Sequence, residues 1–245
     1  MSTGESYDRY LNFPIELLQG LMIDSKKCLN DVMDYAIYAH TEKYYHLRNV
    51  LNEWETDEEK EKVISNFKDA ASYFGIKLGS VEGTIKNGRN LYRSIDRKAP
   101  KVGIFKDMLF EYYKEEKTPF EKACLLAYLA LKSIIGNKSY CKCTNAYLLS
   151  RMAGYSKIAK KLPKDIKPFS TEYQLRKIIT ELRLVWGLVY YSRYTRGFYV
   201  SFKMELEDLI LQAENNRATF KKKQLKDEEN EILKRIKNKL NESRP

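Results

Sequence analysis

Histidine is nearly missing from this chain: only His40 and His46 occur in 245 residues. They stand six apart, which places them on different sides of a helix and leaves no shared metal-binding face. Cysteine is sparse too. Cys28, Cys124, Cys141 and Cys143 are too few and too scattered to staple a chain of this length. They read as reduced thiols, and the protein as cytoplasmic. Cys141 and Cys143 lack a second Cys or His pair at zinc-finger spacing, so they read as alternate residues of a short strand. No run approaches ~18 consecutive apolar residues, which excludes a spanning helix and any membrane partner. The opening stretch MSTGESYDRYLNF has neither the basic start nor the apolar stretch of a secretory signal. Phosphate-binding loops, dinucleotide-binding glycine patterns, nucleophile elbows and zinc-protease motifs are all absent. Carboxylate clusters such as 57–61 lie in charge-rich helix and read as solvated surface. An enzyme is not expected, nor is a cofactor or a metal.

Acid is what the middle of the chain lacks. Residues 1–118 hold 18 basic and 20 acidic side chains, and 203–245 hold 11 and 9, whereas 119–202 hold 15 and 4. The whole net charge of +11 therefore sits in one third of the sequence. Generic solubility would not concentrate it so. A polyanion partner would, because each cation placed near a phosphate releases a condensed counterion.

Hydrophobic content of 43% allows one large domain or two modest ones, each with its own core. The pattern is mainly α. Residues 14–53 read as helix throughout, 63–98 as a second helical group broken by Gly75 and Gly79, and 102–117 as a further helix. No strand is expected in the first hundred residues. The last forty residues lack glycine and read as a charged helix carrying Leu225, Ile232, Leu233, Ile236 and Leu240. Its charge is nearly balanced, and Leu206, Leu209 and Ile210 at its start can pack on the preceding domain. The distal apolar stripe needs a surface, supplied either by a second copy in a homodimer or by the N-terminal helices. Three segments result: a helical N-terminal domain at 1–117, a domain at 118–204, and a helical extension at 205–245.

The most informative stretch is 170–202. Ser170 or Thr171 can cap a helix in which Leu175, Ile178, Ile179, Leu182, Val185 and Trp186 recur at helical spacing. Gly187 ends it, and two β-branched or aromatic runs, 188–192 and 198–202, form a hairpin whose turn ends in Gly197. Upstream, Pro119 opens a helix that Gly136 closes, 139–144 is a short strand, and Thr144 or Asn145 caps a helix over 146–153. Helix, strand, helix, helix and hairpin in this order resemble a winged helix-turn-helix DNA-binding domain. That resemblance implies double-stranded DNA as partner, with the third helix in the major groove. Tyr173, Arg176, Lys177 and Thr180 would reach base edges and Arg183 a phosphate, while Arg193 and Arg196 at the wing tip would lie along the backbone or in the minor groove. The link between second and third helices is unusually long and carries Lys157, Lys160, Lys161, Lys164 and Lys167. It reads as a flexible lysine arm touching phosphates, or as a solvated insert.

Residues 66–95 resemble, more weakly, a second helix-turn-helix through Ala71, Gly75, Ile76, Val81 and Ile85. Lys86, Asn87, Arg89 and Arg93 would decorate its exposed side. Two such units resemble the layout of plasmid replication initiators. The expected function is sequence-specific duplex binding, as a transcriptional regulator or as a replication or partition protein of a mobile element. The rival is a helical adaptor whose winged helix binds protein. RNA binding would need an aromatic platform, and the tyrosines instead alternate inside helices and strands.

Overall fold

The computed structural model describes residues 10–45, 56–96, 98–193 and 197–242, with side chains to residue 235. It is mainly helical, with two small sheets and no helix among the described residues long and apolar enough to cross a membrane.

The described residues open with a strand, against the expectation of none in the first hundred residues. Strand β1 (Tyr10–Pro14) pairs antiparallel with β2 (Lys101–Phe105), in the register Leu11 with Ile104 and Phe13 with Val102. All four of these side chains are buried, and they alternate with exposed Tyr10, Asn12, Lys101 and Phe105. Val102 and Ile104 therefore belong to a strand, and only α4 (Lys106–Tyr112) remains of the helix expected over 102–117. The Tyr10 ring lies across Gly103, where a Cβ would fall 1.8 Å from it. A 3-10 turn (Ile15–Gly20) leads into α1 (Ser25–Tyr45), so helix does not run unbroken from residue 14.

Helices α2 (Asp57–Phe74) and α3 (Val81–Ser94) pack with α1. Thr56 caps α2 by accepting the Glu59 N–H, and Asp57, Glu58 and Glu59 line the positive end of its first turn. Gly75, at φ +61°, closes α2, and the Ile76 N–H returns to the Ala71 carbonyl at 2.8 Å. Ala71 and Ile85 are buried as the repeat of small and apolar residues requires. The exposed decoration of α3 is not as expected, however. Lys86 and Arg93 are exposed, but Asn87 donates to Asp31 and to Asp34 on α1, both at 2.9 Å, and Arg89 sits part-buried beside Tyr38. Gly88 lets the two helices meet, since a Cβ there would stand 2.7 Å from the Asp34 carbonyl oxygen and from the Tyr38 Cβ.

The centre of the molecule is α5 (Pro119–Ile135). Thr118 and Glu121 form a capping box ahead of it, and Ala123 through Leu131 are buried on every side, as befits a helix with no polar face. Strand β2 and the 3-10 turn cover one side of α5, and α6 (Asn145–Met152) and α7 (Glu172–Val185) cover another. Thr144 caps α6 and Thr171 caps α7. Strands β3 (Cys141–Cys143), β4 (Val189–Tyr191) and β5 (Phe198–Ser201) form an antiparallel sheet in the order β3-β5-β4. Gly197, at φ +108°, tucks under the Cys143 carbonyl, where a Cβ would come within 2.5 Å.

Leu175, Ile178 and Leu182 of α7 are buried as expected, whereas Val185 is exposed because the helix ends there and Gly187, at φ +68°, turns the chain away. Trp186 packs against Tyr128 and Tyr112. Helix α8 (Leu206–Glu242) docks its first turns on the hairpin through buried Leu209 and Ala213. Leu206 stays largely exposed. From 215 to 235 every side chain of α8 is exposed, so the return onto the N-terminal helices does not occur over those residues.

Candidate nucleic-acid interface

Helix α7 turns Leu175, Ile178 and Leu182 toward α5, and its opposite face carries Tyr173, Arg176, Lys177, Thr180 and Arg183, all exposed. At about 100° per residue these five positions fall within about a third of the helix circumference, which is why they share a face. Between this face, the start of α6 and the hairpin lies a cleft of about 730 Å³. Arg176, Thr180 and Arg183 line it from α7, Thr144 and Asn145 from α6, and Ser192 from the hairpin. Tyr173 and Lys177 lie on the flank nearer α5, where the Lys177 ammonium stands 5.4 Å from the Phe120 ring centre and 5.5 Å from that of Tyr173.

Among the described residues Glu172 is the one carboxylate lining the cleft, and it pairs with Arg176 one turn away. Both side chains are exposed, so this pair is weak and a stronger anion can displace it. Thr144, Asn145, Ser192 and Glu172 were not singled out by sequence reasoning. Thr144 and Asn145 carried only a capping signal, and a residue's place across a cleft has no local signature.

The hairpin tip is divided. Arg193 is exposed but lies 3.6 Å from Glu214 of α8. The Glu214 carboxylate also accepts the Tyr191 hydroxyl at 2.7 Å, and this hydrogen bond, with Arg193 and Arg217 beside it, holds its pKa below the usual range. Arg196 lies outside the described residues.

The link 155–169 is anchored, contrary to the expectation of a flexible arm. Gly154, at φ +85°, fits against Gln19 and Glu16 of the 3-10 turn, and Ile166 and Phe169 are buried. The Ser150 hydroxyl accepts the Ala159 N–H at 2.9 Å. Arg151, only 4% exposed, donates to the Ser156 carbonyl at 3.2 Å, to the Ser133 hydroxyl at 3.0 Å and to the Tyr147 hydroxyl. A buried guanidinium thus ties the link to α5 and α6. Lys157, Lys160, Lys161, Lys164 and Lys167 all project from this fixed base into solvent.

The groups that could do covalent chemistry are muted. Burial pushes the thiols of Cys28, Cys124 and Cys143 up to about 12 and that of Cys141 up to about 11, which keeps them protonated at neutral pH. Among the described residues no three His, Cys, Asp or Glu side chains come together to hold a metal ion. What the surface offers is cations, a hydroxyl and an aromatic ring on one helix face beside a hairpin. No protein-family model, curated protein or solved structure matches this chain.

Proposed function

We propose that this protein binds double-stranded DNA in the manner of a winged helix-turn-helix, with α7 as recognition helix and the β4–β5 hairpin as wing. The observation that carries this reading is the outward face of α7. Tyr173, Arg176, Lys177, Thr180 and Arg183 stand on it together, beside a three-stranded sheet of order β3-β5-β4. A helix presenting Arg and Lys matches the acceptors O6 and N7 of guanine, and Thr matches a thymine methyl. The lysines of the 155–169 link would add sequence-independent phosphate contacts. In this reading the chain serves as a transcriptional regulator or as a replication or partition protein of a mobile element.

The distal half of α8 supports a homodimer within the same reading. Leu225, Ile232 and Leu233 are more than half exposed on a helix that no other element covers among the described residues. A second copy would cover them and present two recognition helices to a pseudo-palindromic site. Truncation after Thr219 keeps the docked half of α8. Unchanged sedimentation of that variant would remove the dimer from the reading.

Duplex binding is tested by titrating random-sequence duplex across a salt series, followed by selection of preferred sites. Binding should weaken steeply with salt, and Arg176→Ala or Lys177→Ala should cost ~1–3 kcal/mol and relax sequence preference. Undetectable or salt-insensitive binding at ~50 mM salt would refute the proposal.

A further inference from the structure

Helix α8 reaches across the small sheet from one edge to the other, and its first half is fastened there at several points. Ser201, the fully buried last residue of β5, fixes where the helix starts. Its hydroxyl donates to the Ser139 carbonyl at 2.7 Å and accepts the Lys203 and Met204 N–H groups at 2.9 Å each. Leu209 and Ala213, one turn apart and buried, then seat α8 on β4 and β5. Two polar anchors follow. The Glu214 carboxylate accepts the Tyr191 hydroxyl at 2.7 Å, and Tyr191 is the last residue of the edge strand β4. Asn216 donates its side-chain amide to the Tyr140 hydroxyl at 2.9 Å, and Tyr140 leads directly into β3 at the opposite edge.

Strands of three, three and four residues have little to hold their direction by themselves, so the helix that ties both edges sets it. Among the bonds Glu214 makes, the one to Tyr191 carries the weight. Arg193 and Arg217 lie 3.6 and 3.4 Å from the carboxylate on side chains 60% and 50% exposed, and exposed pairs contribute little. A hydroxyl donated to an ionised carboxylate is short and strong by comparison. It is also made where β4 ends, two residues before Arg193, so a change in strand direction there is carried straight into that cation.

We propose that α8 positions the wing for the duplex, a role that rests on the duplex reading above, and that Glu214 is its positioning residue through the Tyr191 hydroxyl. Charge and position make opposite demands on Glu214. As a bare carboxylate beside Arg193 and Arg217 it opposes phosphate, so its removal would tighten binding. As the residue that holds β4, its removal weakens binding. The sign of the effect therefore separates the two.

The test uses the full chain, with hydrogen exchange of backbone amides and anisotropy of one labelled duplex at a fixed salt concentration. Tyr191→Phe removes the hydroxyl alone and keeps the ring and every charge. Exchange over 189–191 and 198–201 should rise about five- to tenfold, and duplex affinity should fall about fivefold. Glu214→Ala should do the same although it deletes a negative charge. Glu214→Gln keeps an oxygen that can accept from Tyr191, so it should restore both the protection of the sheet and the affinity. Asn216→Ala, at an exposed position, should speed exchange over 141–143 by releasing the other edge. Exchange in α5 should stay as slow as in the parent protein, which separates a loosened wing from a variant that fails to fold. Unchanged exchange in both Tyr191→Phe and Glu214→Ala would overturn the proposal, as would tighter duplex binding by Glu214→Ala or equal affinity in a loosened Tyr191→Phe. If the parent protein itself binds no duplex, the duplex reading fails, and the exchange measurements still decide whether α8 holds the hairpin.

Discussion

Replacing Lys157, Lys160, Lys161, Lys164 and Lys167 together with glutamine tests how the 155–169 link is used. All five are exposed, and none pairs with a carboxylate among the described residues, so no ion pair has to be broken before they meet phosphate. The segment itself is already ordered by Ser150 and Arg151, so binding need not fix its backbone. Each phosphate neutralised contributes about 0.9 to the slope of log K against log salt, so five contacts would account for about 4.5. At ~0.15 M salt one such contact is worth about fivefold in affinity, and the five together at most a few thousandfold. With two to four of the five in contact with phosphate, a slope reduced by about 2 to 4 is expected. Fluorescence anisotropy with one labelled duplex, from about 50 to 400 mM salt, measures this directly. Every duplex sequence should weaken alike, because phosphates carry no sequence information. A variant whose slope stays within about 0.5 of the parent protein would show that the link lies away from the DNA.

Glu172→Gln should tighten duplex binding several-fold, since it removes the carboxylate that faces the cleft and holds Arg176; weaker binding would mean that Glu172 positions Arg176 for a base. Arg151→Met should destabilise the fold by ~2–3 kcal/mol, because the Ser133 hydroxyl and Ser156 carbonyl lose their buried donor. Urea unfolding reads it, and an unchanged midpoint would refute the anchoring role. For pH, burial and then Lys43 lower the pKa of His40 in the folded state, while the unfolded chain takes up its proton near 6.5. Unfolded chains thus bind more protons below that value, so His40 contributes a loss of stability as pH falls from ~7 toward its folded pKa and none above ~7. His40→Phe should show a smaller fall in urea midpoint between pH ~7.5 and ~5.5 than the parent, and an equal fall would exclude His40 as the cause.

What was legible in advance depended on how far apart the deciding residues stand. The basic third of the chain could be read because its signals are local. Thr118 with Glu121, Thr144 ahead of α6 and Thr171 ahead of α7 are caps acting across three residues. Leu175, Ile178 and Leu182 repeat at the helical period, and Gly136, Gly154 and Gly187 all stop their elements at positive φ. From these, the face bearing Tyr173, Arg176, Lys177, Thr180 and Arg183 follows without a partner, because a buried stripe dictates its opposite.

Strand β1 was missed for the converse reason. Leu11 and Phe13 alternate over only five residues, and their partners Ile104 and Val102 lie some ninety positions away, so no local period separates strand from helix there. A separation of 53 to 56 residues likewise hid the pairing of part-buried Asn87 with Asp31 and Asp34, which turned a surface amide into a helix-to-helix clamp. Arg151 resembled any surface arginine of a basic segment. Only the convergence of α5, α6 and the link around it buried its charge and converted a presumed arm into a fixed platform. Likewise His40 and Tyr44 sit one turn apart on α1, but the stack they begin is continued by Tyr73, which reaches them from α2. The chain alone determined which helix face would be basic, since that needs only a helical period and a core; tertiary packing decided which surfaces lie beside it and which rings meet, since those depend on contacts between elements that no local pattern records.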